Sequence, residues 1–356
     1  MCTNVQHTQI YNYFFLSSKV NNNNNNFSCR EILIKNGSAV DAAVAAMFCN
    51  GLLNHQSMGL GGGFFMTVYL KDEEKAYTVN ARETAPGAAT VDMFNGSWDK
   101  AAKATWSSGP LSIGVPGELR GMWAAHKRWG KLPWETLVAP SLDLCRNGFA
   151  MSKVMYDGLE SAPYIKNDPH LRKMYFNTAK GQFHKPGTMV KPSEALCNTY
   201  QRIAENGGDD LYNGTLAADF LDDLERVGSI ITAEDLRQYE AKITEPIAVP
   251  LSNGDTFYSP PPPSSGAILV TIRKLWFDQS IKEAVDEARI HHQITPMHVE
   301  YEFGVIEDIV KGLRAKGHGM VRYRSRGSII CALYRNRTAI YANADFRKGG
   351  DVAGMD

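Results

Sequence analysis

The sequence has 356 residues, of which 44% are hydrophobic, enough for a large apolar core and about two domains. Its 38 Lys and Arg residues balance its 38 Asp and Glu residues, so no overall field attracts nucleic acid or an anionic membrane surface. No apolar run approaches the roughly 20 residues that cross a bilayer. The six cysteines form no C-x-x-C pair, which excludes a zinc ribbon or a thioredoxin-type dithiol. Buried thiols are favoured for them, although their even number leaves disulfides open.

The N-terminal segment, residues 1–28, is predicted to be a disordered leader. It is polar and includes six consecutive asparagines, residues 21–26, and such low-complexity sequence buries no apolar surface. A capping-box pattern from Ser38 to Asp41 then opens an alanine-rich apolar run. This pattern predicts a buried helix that continues through Leu53.

A glycine-rich turn and two strands follow this helix. The turn is Met58-Gly59-Leu60-Gly61-Gly62-Gly63. The β-branched and aromatic content of residues 64–70 and 76–81 predicts two strands. The second strand ends in Asn80-Ala81-Arg82-Glu83, so Arg82 is predicted where a buried strand leaves the sheet, a place where functional residues concentrate.

The middle of the chain is predicted to be a helical scaffold. Helices are expected over residues 117–129, 134–147, 192–205 and 216–227, and from a capped start at 232–235. The proline- and serine-rich stretch at 260–266 predicts a boundary before a short helix at 267–277. Beyond it, the pattern predicts a helix near 302–316 and strands at 328–334 and 338–342.

The glycine-rich turn has two interpretations. Backbone N–H groups without Cβ obstruction suit an oxyanion loop of a serine hydrolase, yet the sequence has no G-x-S-x-G elbow. The turn also lacks the G-K-[ST] of a Walker loop and the spacing of a dinucleotide site. Tight packing of a helix against a strand is the structural alternative.

Three further groups of basic or histidine side chains lie outside the turn. A guanidinium that leaves a core requires a carboxylate, which for Arg82 comes either from Glu83 or from a ligand. The adjacent pair His291-His292 is expected to be structural, because neighbouring side chains point apart and no H-E-x-x-H pattern supports a metal site. The basic run Arg347-Lys348-Gly349-Gly350 is expected to be a solvated turn.

Several motifs in this order together resemble the gamma-glutamyltranspeptidases, also called glutathione hydrolases. They are Asn36 to Ala43, the glycine turn from Met58 to Phe64, Asn80 to Pro86, Gly114 to Glu118, and Ser264-Ser265-Gly266. The similarity extends through Leu211 to Thr215, Val227 to Tyr239, Arg289 to Gln293 and Asp345 to Gly354. It covers nearly everything from Arg30 onward.

The resemblance implies an α/β (α+β) fold, the four-layer αββα sandwich of N-terminal-nucleophile hydrolases. Such enzymes cleave themselves, and the new N-terminal threonine attacks the γ-glutamyl amide of glutathione to give an acyl-enzyme. Arg82 matches the family's arginine that binds the γ-glutamyl α-carboxylate. The implied partners are glutathione and γ-glutamyl compounds, without a cofactor and without nucleic acid.

The chain departs from the family where the nucleophile is expected. The segment that should carry a Thr-Thr-His or Thr-Ala-His site, further substrate ligands and a Gly-Gly oxyanion hole is missing, so the sandwich is expected to be incomplete. Thr271 lies at the junction without the Thr-x-His-x-Ser context, and the nucleophile role is not assigned to it.

The resulting expectation is a large-subunit-like region at 29–269, a remnant of the small-subunit-like region at 270–356, and no catalysis. The alternative is a binding or regulatory protein that pairs with a full-length homologue. Family members are anchored at the plasma membrane with an extracellular catalytic domain, whereas this sequence shows no anchor or signal.

Overall fold

The computed structural model describes residues 9–11, 27–94, 110–250, 256–262, 264, 279–292, 297–323, 332–335, 340–343 and 345–347. None of the helices in these ranges is long and apolar enough to span a membrane. The structure divides into two compact units. The first falls within Met1–Ala248 and Tyr258–Pro261, and the second within Val249–Phe257 and Pro262–Ala353.

Helices dominate the first unit. They are α1 (Phe27–Ile34), α2 (Ala39–Leu53), α3 (Glu118–Trp129), α4 (Trp134–Asn147), α5 (Lys153–Ser161), α6 (Pro169–Tyr175), α7 (Glu194–Asn206), α8 (Asp210–Asn213), α9 (Thr215–Val227) and α10 (Ala233–Gln238). Its strands are β1 (Gln9–Tyr11), β2 (Phe64–Leu70), β3 (Lys75–Ala81), β4 (Phe149–Ala150), β5 (Phe176–Asn177), β6 (Gln182–Phe183), β7 (Met189–Val190) and β8 (Lys242–Thr244).

The remaining elements follow the long helical region. Strands β9 (Ile247–Pro250) and β10 (Thr256–Ser259) pair with each other where the chain passes from one unit to the other. The second unit contains α11 (Ile281–Asp286), β11 (Ile290–His291), β12 (Val299–Tyr301), α12 (Glu307–Ala315), β13 (Met320–Arg322), β14 (Ala332–Arg335) and β15 (Ile340–Asn343).

The main sheet of the first unit has the strand order β1-β2-β3-β8, with every pair antiparallel. The predicted strands β2 and β3 are confirmed, and Phe64 lies opposite Ala81 in their register. Strand β1 falls inside the segment expected to be wholly disordered, and Ile10 pairs with Val68. The reason is that the open edge of β2 offers unpaired backbone N–H and C=O groups to any extended segment.

The helices beside this sheet form the core of the first unit. The predicted capping box of α2 is confirmed: the Asp41 amide donates to Ser38 Oγ at 3.0 Å, and the Ser38 amide donates to Asp41 Oδ2 at 2.8 Å. Helix α2 is apolar on all sides and almost completely buried, as expected for a central core helix. It packs against α1, α3 and α4, while α3 packs against β3.

A disulfide joins two of the helices in this layer. Cys145 of α4 and Cys197 of α7 are bonded, with their Cα atoms 5.6 Å apart. The expectation of thiols was therefore wrong for this pair, because the fold brings together two cysteines 52 positions apart. Cys49 is buried as expected, and its sulfur accepts a hydrogen bond from the Ser141 hydroxyl at 3.4 Å.

The second unit depends on buried charge. Its apolar core among the described residues is small: Ala284 and Val285, with Ile281 packed against them. Around it, Asp345 contacts Arg289 at 2.7 Å and Arg347 at 3.1 Å. Buried charged side chains therefore have, in the interior of the second unit, the place that apolar side chains have in the interior of the first.

Two expectations for this region were wrong. Arg347 was expected in a solvated turn, but it is buried, because Asp345 and Glu302 supply carboxylates; it meets Glu302 at 2.6 Å. The helix expected from residue 302 begins at Glu307, since the Glu302 carboxylate also accepts the Arg289 amide at 2.9 Å. The predicted helix at 267–277 lies outside the described residues.

Candidate active site

Arg82 lies directly after β3, as its sequence context predicted. Its side chain is 48% exposed. The Nε and Nη2 atoms both donate to Glu83 Oε1 at 3.4 Å, and the Arg82 amide donates to Asn80 Oδ1 at 3.1 Å. The internal partner considered from the sequence is thus present. Because both side chains are about half exposed and the contacts are long, this pair holds the guanidinium weakly and leaves it accessible to another carboxylate.

The glycine turn packs against the backbone that carries Arg82. Gly59 has a φ of 151°, a conformation that other residues adopt rarely. At Gly63 a Cβ would lie 2.7 Å from the Ala81 carbonyl oxygen and 3.0 Å from the Arg82 Cα. Glycine therefore permits contact between the turn and the end of β3 that any side chain would prevent.

The turn is also bonded to the start of α3. The amides of Gly117 and Glu118 both donate to the Gly62 carbonyl at 2.9 Å. In return, Glu118 Oε2 accepts the Gly59 amide at 3.2 Å. The Glu118 residue is 1% exposed, and burial raises the pKa of its carboxyl group to about 8, against a smaller lowering by the Gly59 hydrogen bond.

Two tyrosines from much later in the sequence support the same region. The Tyr239 hydroxyl donates to the Arg82 carbonyl oxygen at 2.8 Å. Its ring stacks on Tyr212 with 5.8 Å between centroids, and the Tyr212 hydroxyl donates to the Pro116 carbonyl at 2.8 Å. An isolated bridge between Thr84 and Val115 closes the arrangement. The backbone on either side of Arg82 is thereby fixed by residues distant in sequence.

The structure brings together three motifs that the sequence had separated: the glycine turn, Asn80 to Pro86, and Gly114 to Glu118. Of the two interpretations of the glycine turn, its contacts fit close packing of a helix against a strand. His291 and His292 lie in the second unit, and Thr271 lies outside the described residues. The described ranges contain no group of His, Cys, Asp and Glu side chains able to hold a metal ion.

Sequence reasoning did not single out Glu118, Tyr212 or Tyr239. A glutamate at the first position of a helix is normally a helix-dipole partner, so nothing local marked Glu118 as buried. Both tyrosines had appeared only inside longer stretches of family resemblance. Their hydroxyl contacts span 96 and 157 positions and leave no local pattern.

Solved structures define the class of fold. Cephalosporin acylase from Bacillus halodurans superimposes with a TM-score of 0.71 over 92% of this chain and 94% of that chain, at 16% identity, which shows the fold alone. Gamma-glutamyltranspeptidase from Pseudomonas nitroreducens complexed with L-DON gives 0.60 at 34% identity, covering 71% and 74% of the two chains. The fold is therefore that of N-terminal-nucleophile hydrolases, as the resemblance implied.

The family is established by sequence. The gamma-glutamyltranspeptidase family model matches residues 28–272 and 268–355, and the chain belongs to this family. Scoloptoxin SSD14 of Scolopendra dehaani is 42% identical over 247 residues, 69% of this chain and 42% of its own length. Glutathione hydrolase 5 proenzyme of Mus musculus is 40% identical over 244 residues, 67% of this chain and 41% of its own. The chain thus spans about two fifths of the length of these relatives.

Proposed function

We propose that this chain binds γ-glutamyl compounds such as glutathione through Arg82 but does not itself transfer or hydrolyse the γ-glutamyl group. The observation that supports binding is the half-exposed Arg82 guanidinium on a backbone fixed by the glycine turn and Tyr239. A planar guanidinium forms paired hydrogen bonds with a carboxylate, which a lysine ammonium cannot match. The ligand α-carboxylate would take the place of Glu83 on the guanidinium.

The absence of turnover is proposed from the sequence. The two matches to the family model meet at residues 268–272, where Thr271 is the only threonine. No threonine in the sequence has a histidine two positions later, so the family's Thr-x-His pattern is missing. Without an activated nucleophile, no acyl-enzyme forms.

The test of this proposal has a catalytic arm and a binding arm. The purified chain is analysed on a denaturing gel for self-cleavage and incubated with a chromogenic γ-glutamyl amide. Binding of S-methylglutathione is measured by calorimetry, because this ligand has no thiol to reduce the Cys145–Cys197 disulfide. Arg82→Ala and Arg82→Lys are compared with Arg146→Ala, an exposed arginine paired with Asp143 at 3.3 Å.

The expected result is one band, no release of chromophore, and binding that is lost in Arg82→Ala, weakened in Arg82→Lys and unchanged in Arg146→Ala. Removal of a charge-assisted contact of this kind costs about 1.5–3 kcal/mol, or roughly 10- to 150-fold in affinity. Two fragments with turnover that depends on Arg82 contradict the proposed inactivity. Binding unaffected by Arg82→Ala contradicts the proposed ligand site.

The disulfide supports a proposal about the cellular compartment in which the chain matures. Disulfides persist in oxidising compartments and are rare in a reducing cytosol, and Cys145 is nearly inaccessible to solvent. The proposal therefore includes maturation in an oxidising compartment, in agreement with the extracellular site implied by family resemblance. Mass spectrometry of the chain isolated from its own cells, after alkylation without reduction, tests it: alkylated Cys145 and Cys197 contradict this location.

A second candidate function is association with a full-length homologue, and the surface of the second unit favours it. Large apolar side chains there are exposed, including Phe303 at 88%, Met297 at 73% and Ile306 at 65%. Phe303 and Ile306 are three positions apart in the sequence, and contiguous patches of exposed apolar side chains are typical of surfaces that a partner covers. Co-expression with a tagged full-length homologue tests this candidate: a Phe303→Asp/Ile306→Asp variant is expected to lose co-purification, and equal recovery contradicts it.

A further inference from the structure

Among the residues that the structure describes, no cationic side chain pairs with the buried carboxyl group that lies behind the glycine turn. Within the described part of the chain, Glu118 forms no ion pair, and its Oε2 accepts the uncharged Gly59 amide at 3.2 Å. Arg120, two positions along the same helix, pairs with Asp209 at 3.0 Å and stacks over the Tyr212 ring at 4.2 Å. A buried carboxylate with no compensating charge is costly, so the neutral acid is the form that fits this position.

The contacts of Glu118 reach Arg82 through the glycine turn. Its carboxyl group bonds Gly59 at one end of the turn, and its amide bonds the Gly62 carbonyl at the other. The next residue, Gly63, approaches the Arg82 Cα so closely that a Cβ would stand 3.0 Å from it. A displacement of the turn therefore displaces the backbone from which the guanidinium projects.

We infer that Glu118 is a positioning residue for Arg82: its neutral carboxyl group holds the glycine turn against the backbone of Arg82 and thereby sets the direction of the guanidinium. The inference rests on the proposed role of Arg82 in carboxylate binding. Ionisation of Glu118 would strengthen the bond from the Gly59 amide, which favours the charged form, but would leave a buried negative charge that one amide compensates only in part. Solvation of that charge requires the turn to move. Ligand binding then becomes weaker in alkaline solution.

The groups around Glu118 do not obscure this titration. Tyr200 of α7 and Tyr212 of α8 interact with it electrostatically, and burial raises the pKa of both phenols far above neutrality. Cys49 of α2 lies beside Tyr200. Comparison with a variant that lacks only the Glu118 acid removes the contributions of all these neighbours, because they are present in both proteins.

The first experiment needs no ligand. The full chain is labelled with ¹⁵N-glycine and ¹⁵N-arginine, and the amide shifts of Gly59, Gly62, Gly63 and Arg82 are followed from pH 6 to 9.5. The four amides are expected to shift together with one midpoint near the pKa of about 8. Glu118→Gln, which keeps a neutral acceptor for Gly59, abolishes the shared transition, whereas Glu135→Gln, the same change at an exposed glutamate of α4, preserves it.

The second experiment measures S-methylglutathione affinity at pH 6.5 and pH 9. Between these two pH values, the affinity of wild type is expected to fall by up to about tenfold more than the affinity of Glu118→Gln. The factor is about ten because pH 9 lies one unit above the pKa of the Glu118 carboxyl group. The titration of the ligand's own amine is common to both proteins and cancels in this ratio.

The outcomes distinguish the two ideas. A transition at Gly59 that leaves the Arg82 amide unmoved overturns the positioning role, as do equal pH profiles of affinity in wild type and Glu118→Gln. Absence of binding in wild type at pH 6.5, together with a shared amide transition, overturns the proposed function of Arg82 and leaves the mechanical link from Glu118 established.

Discussion

At the scale of single residues, Glu118 links protonation to folding. The ordinary pKa of its carboxyl group is 4.5, and burial raises the folded-state pKa to about 8. Between these values the unfolded chain has released the proton and the folded chain retains it, so unfolding releases a proton. Stability therefore falls as pH rises through this window, by roughly 1.4 kcal/mol per pH unit from this group, and is level above it.

This prediction is checked by urea unfolding of wild type and Glu118→Gln at several pH values from about 5 to 9. The difference in unfolding free energy between the two proteins is expected to change across the window in favour of the glutamine variant and then to become constant. A difference that does not vary with pH would show that Glu118 ionises in the folded chain as it does in the unfolded one.

At the scale of secondary-structure elements, the glycine turn before β2 predicts different effects of substitution at two of its glycines. In Gly63→Ala the new Cβ meets three backbone atoms, of Ala81, Arg82 and Glu83, at 2.7 to 3.0 Å, and backbone atoms have little freedom to move. Overpacking of this kind costs about 1–3 kcal/mol. At Gly61 a Cβ meets nothing within 4 Å, so Gly61→Ala is expected to change stability by less than about 0.5 kcal/mol. Thermal unfolding of both variants measures the contrast, and equal losses would argue against the close contact at β3.

The link between α4 and α7 predicts sensitivity to reductant. A disulfide between cysteines 52 positions apart lowers the conformational entropy of the unfolded chain. This effect stabilises the folded state by up to about 4 kcal/mol. Wild type is expected to unfold at lower denaturant concentration after reduction, and a Cys145→Ser/Cys197→Ser variant is expected to match the reduced protein with or without reductant. Denaturant curves under the two conditions provide the measurement. Coincident curves for oxidised and reduced wild type would mean that the bond does not stabilise the fold.

At the scale of the whole molecule, the two units differ in what stabilises them. The first has an extensive apolar core, whereas the second holds Asp345 between Arg289 and Arg347. Asp345→Asn removes the buried carboxylate that both guanidinium groups share, which costs about 3–5 kcal/mol.

This change is expected to accelerate hydrogen exchange in α11 and β12. The control is Glu307→Gln, which removes only an exposed pair with Lys311 at 3.0 Å and should alter exchange little. Unchanged protection of α11 in Asp345→Asn would show that the charge network is dispensable for the second unit.

How far the sequence predicts this molecule depends on the range of each interaction. The bounds of α4 and β2 and the capping box of α2 follow from local patterns, and the structure confirms them. Arg82 was located correctly because a strand ending and its neighbours are local as well. The burial of Glu118 and Arg347 was not predicted, since each depends on partners that the fold brings from other elements. Local patterns cannot tell an exposed charge from one that is buried and compensated.

The hydrogen bond from Tyr239 to the Arg82 carbonyl has a practical consequence for dissecting the protein. Its two partners are 157 positions apart, and β8, just beyond Tyr239, completes the sheet beside β3. A fragment that contains every family motif up to Glu118 but stops before Tyr239 would retain the arginine and lose its support. Peptide or truncation mapping of ligand recognition would then report a false negative, and the smallest piece suited to such mapping extends through Thr244.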